Sequence, residues 1–368
     1  MAGRYRRART GERVRVKGIP VPYTFWPDAY LKHGRIVTSD PWRCLAVHIC
    51  RTVTNRSKRA QAAAFLEQAE DLYHAAGAAR VGSKPLLYYY SFLNLAKTFL
   101  VVRRGLDLNR CLHGLRDPRG NVRRRLTITS QDVVANTSNP QGPVQVYREF
   151  VAECGFPVPA NPRPMKLVDL LEQTVSIHRI TSHTLGRARQ FFPVHEIAFE
   201  FDHTNKEVWV ALYVNRDELT FSSTAASNLR KHTKCFEEVE LPKGKNEFRR
   251  YESVSRKTYS RSPLDVLRPL VLDTWKDIWS ELRPGGYQFW VSSIPAKKRL
   301  AQLASGYQAM FYFGSVARYR PDDFRKLVEG KHGWMVQEFI NNQPIQFLFF
   351  LGSGIIGAEM VIPELVMR

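Results

Sequence analysis

Tyr90, Asn94 and Lys97 stand at i, i+4 and i+7 in the run Pro85-Leu-Leu-Tyr-Tyr-Tyr-Ser-Phe-Leu-Asn-Leu-Ala-Lys97. That spacing puts three polar groups on one face of an otherwise apolar helix. A buried hydroxyl or amide left without a partner costs about 1–3 kcal/mol, so these groups need company. His113, in the following His-Gly-Leu step, and Arg318 and Arg320, in Arg318-Tyr319-Arg320-Pro321, are suitable partners. The six residues Tyr90, Asn94, Lys97, His113, Arg318 and Arg320 are therefore expected to meet in a polar pocket.

A second chemistry is written in the charge. The 368 residues carry 55 Lys and Arg against 34 Asp and Glu, a net charge of +21. The windows 1–20, 103–125 and 243–261 supply +17 of it. Clustered arginine suits bidentate phosphate pairing, and each neutralised phosphate releases counterions. The expected phosphate contacts are Arg103, Arg104, Arg110, Arg116, Arg119, Arg123, Arg124 and Arg125 first, then Arg249, Arg250, Arg256 and Lys257. Such a surface calls for DNA or RNA as partner, bound without sequence specificity.

Several familiar chemistries are disfavoured. Gly352, Gly354 and Gly357 spell G-x-G-x-x-G, yet only eleven residues follow, too few to complete a dinucleotide-binding unit. Asp322 and Asp323 after Pro321 read as helix-start residues and not as acids converging on a divalent ion. Cys44 and His48 share a helix face, and His178 and His183 are five apart. No further pair completes a four-ligand zinc set, so neither metal nor cofactor is expected. No nucleophile elbow, phosphate-binding Walker loop or H-E-x-x-H motif occurs. The five cysteines are scattered and odd in number, which suits free thiols in a reducing, cytoplasmic setting. No run of about 18 apolar residues is present, so no membrane association is expected.

The tyrosine-rich run with its following His113-Gly114-Leu115, and the run Phe311-Tyr-Phe-Gly-Ser-Val-Ala-Arg-Tyr-Arg-Pro321, resemble the YaaC-like family of bacterial proteins over roughly residues 40–360. The resemblance implies a bacterial, cytoplasmic protein of mixed helical and β structure, and transfers no catalytic residue. A place as accessory or subunit in a phage-defence type of system is a further expectation. A second likeness is to HEPN-type ribonucleases, whose Arg-x4–6-His motif acts on the RNA 2′-hydroxyl and phosphate. Arg325 and His332 match that spacing, although Lys326 replaces the usual polar residue after the arginine. This makes a metal-independent ribonuclease the enzymatic alternative, with Arg325 and His332 as its catalytic pair.

The elements that must position these groups follow from periodicity. Asp40-Pro41 reads as the N-cap and first turn of a helix. Residues 58–76 and the stretch from Ser83 onward continue with helical spacing. Arg124–Ser130 alternates as a short strand, and Pro143–Cys154 reads as a helix ended by Gly155. Val194–Phe201 and Val208–Val214 form a hairpin, 233–241 and 247–255 a second, and Tyr287–Val291 another strand. Helices resume over 298–319, 322–329 and 334–351, with Pro344 expected to break and restart the last one.

The fold class is α+β, with N- and C-terminal helical blocks packed together and a β-rich middle insert. The expected regions are a basic tail and aromatic arm (1–38), a mostly helical region (39–190), a β-rich region (191–295) and a C-terminal helical region (296–368). A third functional reading is an interaction scaffold, whose arm at 1–38 docks on a protein partner through its Pro20–Tyr30 aromatics.

Overall fold

A computed structural model describes residues 6–117, 132–135, 143–155, 164–220, 223–240, 247–295 and 298–364. The chain is α+β and divides into two compact units, both discontinuous in sequence. One comprises residues 1–37, 188–299 and 357–368; the other comprises 38–187 and 300–356.

The first unit is built on a nine-stranded sheet. Its strands are β1 (Arg6–Arg7), β2 (Glu12–Arg13), β3 (Phe191–Asp202), β4 (Glu207–Asn215), β5 (Phe236–Glu240), β6 (Phe248–Ser253), Lys257–Thr258, β7 (Ile278–Arg283) and β8 (Gly286–Ser292). The order is β1-β5-β6-β4-β3-β8-β7, with β2 on β3 and Lys257–Thr258 on β4. The β3–β4 hairpin closes with Asp202 opposite Glu207, and the Asp202 carboxylate accepts the Thr204 amide at 2.7 Å. That side-chain turn is the reason Asp-His-Thr-Asn can join two strands.

Alternation divides the sheet's residues between its two faces. Phe199, Val210, Leu212 and Tyr251 form a buried core with Leu267, Leu270 and Val271 of the Leu267–Thr274 helix. Each such side chain contributes about 1.5–3 kcal/mol when removed from water. The opposite face carries Glu200, Trp209, Tyr213, Arg250 and Glu252, interleaved with the first set. The N-terminal segment lies over these residues. Arg9 sits 5.4 Å from the Trp209 ring, and a Cβ at Gly11 would fall 2.4 Å from that ring. The Arg-rich start is thus built into the sheet from Arg6 onward. Val21, Tyr23 and Thr24 of the aromatic arm are buried in the same unit, and Arg268 lies over Phe25 and Trp26. Met360–Val361 pairs with Ile36–Val37, so the end of the chain also belongs here.

The second unit is helical, with α1 (Pro41–Thr52), α2 (Arg56–Ala78), α3 (Lys84–Arg104), α4 (Val146–Glu153), α5 (Leu167–Glu172), α6 (His178–Leu185), α7 (Gln302–Tyr319), α8 (Pro321–Glu329) and α9 (Gly333–Ile356). Asp40 caps α1 by accepting the Arg43 amide at 2.9 Å. Helix α3 runs through the middle and buries thirteen of its 21 residues. Phe92 on α3 stacks on Phe347 of α9, with centroids 4.0 Å apart.

Helix α3 meets α7 where Gly314 leaves room. A Cβ there would lie 3.1 Å from the Pro85 carbonyl and 3.2 Å from the Tyr89 Cβ. Helix α9 does not break at Pro344 but continues to Ile356. The proline removes the amide that would bond the Ile340 carbonyl. Burial of Val336, Phe339, Ile340, Phe347, Leu348 and Leu351 on both sides of it outweighs that loss. Gly352 and Gly354 lie inside this helix, and a Cβ at Gly354 would fall 3.0 Å from the Phe99 ring.

Candidate functional site

The site belongs to the helical unit and begins with the chain's return after α3. Gly105 ends α3 in the left-handed region, and residues 106–117 fold back along the helix. Two short ladders hold this loop on either side of His113. Cys111–Leu112 pairs with Val144–Gln145, and Leu115–Arg116 pairs with Asp132–Ala135. Between them Gly114 takes φ +82, a conformation that favours glycine, and a Cβ there would lie 3.1 Å from Tyr147. The His113 carbonyl accepts the Tyr147 amide at 3.1 Å. His-Gly is therefore the local solution for aiming an imidazole back at α3.

The imidazole is gripped by neighbouring tyrosines. Tyr89 Oη and His113 Nδ1 share a hydrogen bond of 2.8 Å, and the Tyr90 ring meets the His113 ring edge-on at 6.0 Å. Arg318, from the last turn of α7, donates to Tyr90 Oη at 2.9 Å. Lys97 Nζ rests 4.9 Å from the Phe65 ring centroid of α2. Burial lowers the affinity of His113 for a proton, and the positive charges of Lys97 and Arg318 lower it further. The imidazole is thereby biased to its neutral form, and the dominant fields acting on it are cationic.

Behind this surface lies an aromatic floor. Tyr307 of α7 packs on Tyr89, Tyr147, Phe150 and Phe347. Gln308 donates its side-chain amide to Tyr147 Oη. Burial pushes the Tyr89, Tyr147 and Tyr307 hydroxyls upward, so they remain protonated at neutral pH. Arg320 sits at the corner between α7 and α8, where Pro321 excludes helical backbone from the preceding residue. Its guanidinium pairs with the nearly buried Asp117 at 2.8 Å. This ion pair fastens the end of the His113 loop to the end of α7.

Of the six residues expected to form one pocket, the structure brings Tyr90, Lys97, His113 and Arg318 into one electrostatic group. Arg320 serves beside them as the fastening on Asp117. Asn94 is buried in α3, and no hydrogen bond ties its side chain to the group among the described residues. Spacing along α3 did not single out Tyr89, whose role depends on loop closure. Nor did it reveal Asp117 or Phe65, which approach from separate segments.

The arginine clusters are used differently. Arg103 pairs with Glu153 at 3.6 Å, and Arg104 pairs with Glu149. Arg110 and Arg116 are exposed on the His113 loop. Arg119, Arg123, Arg124 and Arg125, together with the expected strand Arg124–Ser130, lie outside the described residues.

The second cluster is spent on the sheet. Arg249 pairs with Glu238 at 3.0 Å, Arg256 with Glu207 at 3.3 Å and Lys257 with Asp273 at 2.7 Å. Arg250 is 8% exposed and bonds Glu200 at 2.6 Å, Glu252 at 2.8 Å and Tyr213 at 2.9 Å. A guanidinium so enclosed is a member of the sheet's buried ion network. Glu252 also accepts from Arg6 at 2.8 Å and from the Arg9 amide at 2.9 Å.

Arg325 is exposed on α8, with its guanidinium 3.4 Å from Asp322 one turn earlier. His332 precedes α9 and gives its carbonyl to the Val336 amide at 3.2 Å. No hydrogen bond or ion pair joins Arg325 to His332 among the described residues. Among those residues no cluster of three metal-ligating side chains occurs, and no helix is long and apolar enough to cross a membrane.

No curated protein and no solved structure matches the chain. The family model described as YaaC-like Protein matches residues 35–355, a span that contains the tyrosine-rich helix, the His113 loop and the α7–α8 corner. The chain belongs to the YaaC-like family.

Proposed function

We propose that the protein binds nucleic acid without sequence specificity, through its backbone phosphates, at the surface formed by Lys97, His113 and Arg318. The observation that carries this reading is electrostatic. Two cations are the charges that chiefly act on a partly buried imidazole, and Arg318 is engaged by a neutral phenol. A group so composed is complementary to an anion. Arg110 and Arg116, exposed on the same loop as His113, add two further positive charges. The paired arginines of the sheet unit are not part of this reading.

The test is binding of a fluorescein-labelled oligonucleotide over a salt series, for the wild type and for Lys97→Gln/Arg318→Gln. Single strands lose affinity with a log–log slope of about 0.7 per phosphate contact. The double variant is expected to lower the slope by about 1.4 and to weaken binding at low salt. Equal slopes for both proteins would refute the assignment. The same samples run on a denaturing gel test the ribonuclease alternative at Arg325 and His332: uncleaved RNA removes it.

A further inference from the structure

We infer that this surface selects single-stranded over duplex nucleic acid, with the Tyr319 ring as the platform on which an unpaired base stacks. The inference rests on the reading of the site as a phosphate-binding surface and names its substrate class. Tyr319 is the last residue of α7 and is 67% exposed. Its neighbour Arg318 holds its guanidinium 5.1 Å from the Tyr319 centroid and bonds Tyr90 Oη at 2.9 Å. Arg320, the next residue, is fixed on Asp117, and Pro321 then starts α8. The backbone on both sides of Tyr319 is therefore anchored while its ring stays largely exposed, with Arg318 over one face.

An aromatic ring held out by an anchored backbone, beside a cation, has the two elements of a single-strand site. The cation takes the phosphate and the ring takes the base. In a duplex both faces of each base are covered by its neighbours, so the ring has nothing to stack on. Phosphates alone, by contrast, are offered by either form. The inference therefore separates the ring's contribution from that of the cations. Stacking is sequence-tolerant, because every base presents a π-face, and so agrees with binding without sequence specificity.

The experiment compares a labelled oligothymidylate of about 20 nucleotides with a duplex of the same length, long enough to cover a typical single-strand site. Both are titrated with the wild type, Tyr319→Ala and Tyr319→Phe, and circular dichroism verifies that each variant is folded. Removal of one stacking platform is expected to weaken oligothymidylate binding about tenfold and leave the duplex unchanged. Tyr319→Phe, which keeps the ring, should bind as the wild type does. Loss of affinity equal on strand and duplex would overturn the inference while leaving the phosphate reading intact. So would wild-type affinity for oligothymidylate in Tyr319→Ala. Failure of the wild type to bind either probe at low salt would overturn the phosphate reading itself.

Discussion

Replacing Gly114 with alanine tests whether the His113 loop is set by backbone conformation and close packing. Gly114 sits at φ +82, and a Cβ there falls 3.1 Å from both the Tyr147 Cβ and its amide nitrogen. A residue with a Cβ in the left-handed region costs about 1–2 kcal/mol. The forced shift of Tyr147 also weakens its amide bond to the His113 carbonyl, worth about 0.5–1.5 kcal/mol. Alanine restricts the unfolded chain and returns about 0.4–1 kcal/mol. The net loss is about 0.5–3 kcal/mol, or a fall in Tm of about 1–12 °C for a unit of this size.

Far-UV circular dichroism on heating measures it, since the unit is helical. Gly105→Ala is the control, because Gly105 has φ +62 and no atom lies within 4 Å of where its Cβ would stand. That variant should show the conformational cost alone and melt above Gly114→Ala. Equal melting of the two variants, or an unchanged Tm for Gly114→Ala, would refute the packing argument.

Three further outcomes follow from the same structure. Arg250→Met leaves Glu200 buried without its cation and takes one of the cations from Glu252, and should cost about 3–5 kcal/mol in a denaturant titration. Asp117→Asn removes the anchor of Arg320 and should cost about 1–3 kcal/mol, lowering oligonucleotide affinity along with stability. For pH, the folded-state proton affinity of His113 lies below its unfolded value near 6.5. Above that value both states are neutral and the residue contributes nothing. As pH falls through it the unfolded chain takes up the proton first, so stability drops. Thermal melts of His113→Asn should show a weaker acid dependence than those of the wild type.

Much of the architecture was legible because it is local. Asp40-Pro41 starts a helix by chemistry contained in two residues, and the β3–β4 hairpin follows from alternation around a turn-forming Asp-His-Thr-Asn. Strand β7 was missed because five of its six residues, Ile278 to Leu282, are buried, so no alternation marks it. The expected break at Pro344 failed because local cost is overridden where a helix is buried along most of its length.

The charge count misleads in a related way. It cannot know that Arg249, Arg250 and Arg256 find Glu238, Glu200 and Glu207, which lie 11, 50 and 49 residues away. In the candidate site, Tyr90 and Lys97 were legible from helical spacing. The loop that brings His113 to Tyr89, and Asp117 to Arg320, is a tertiary event that no spacing encodes.

The most direct test of the central claim follows the His113 ring by NMR through a pH titration, with and without oligothymidylate. Phosphates paired with Lys97 and Arg318 offset the two cations that suppress protonation of the imidazole. The account predicts that saturating oligonucleotide moves the His113 titration midpoint upward and shifts its ring resonances. An oligonucleotide that binds while the His113 resonances and midpoint stay where they were would contradict it.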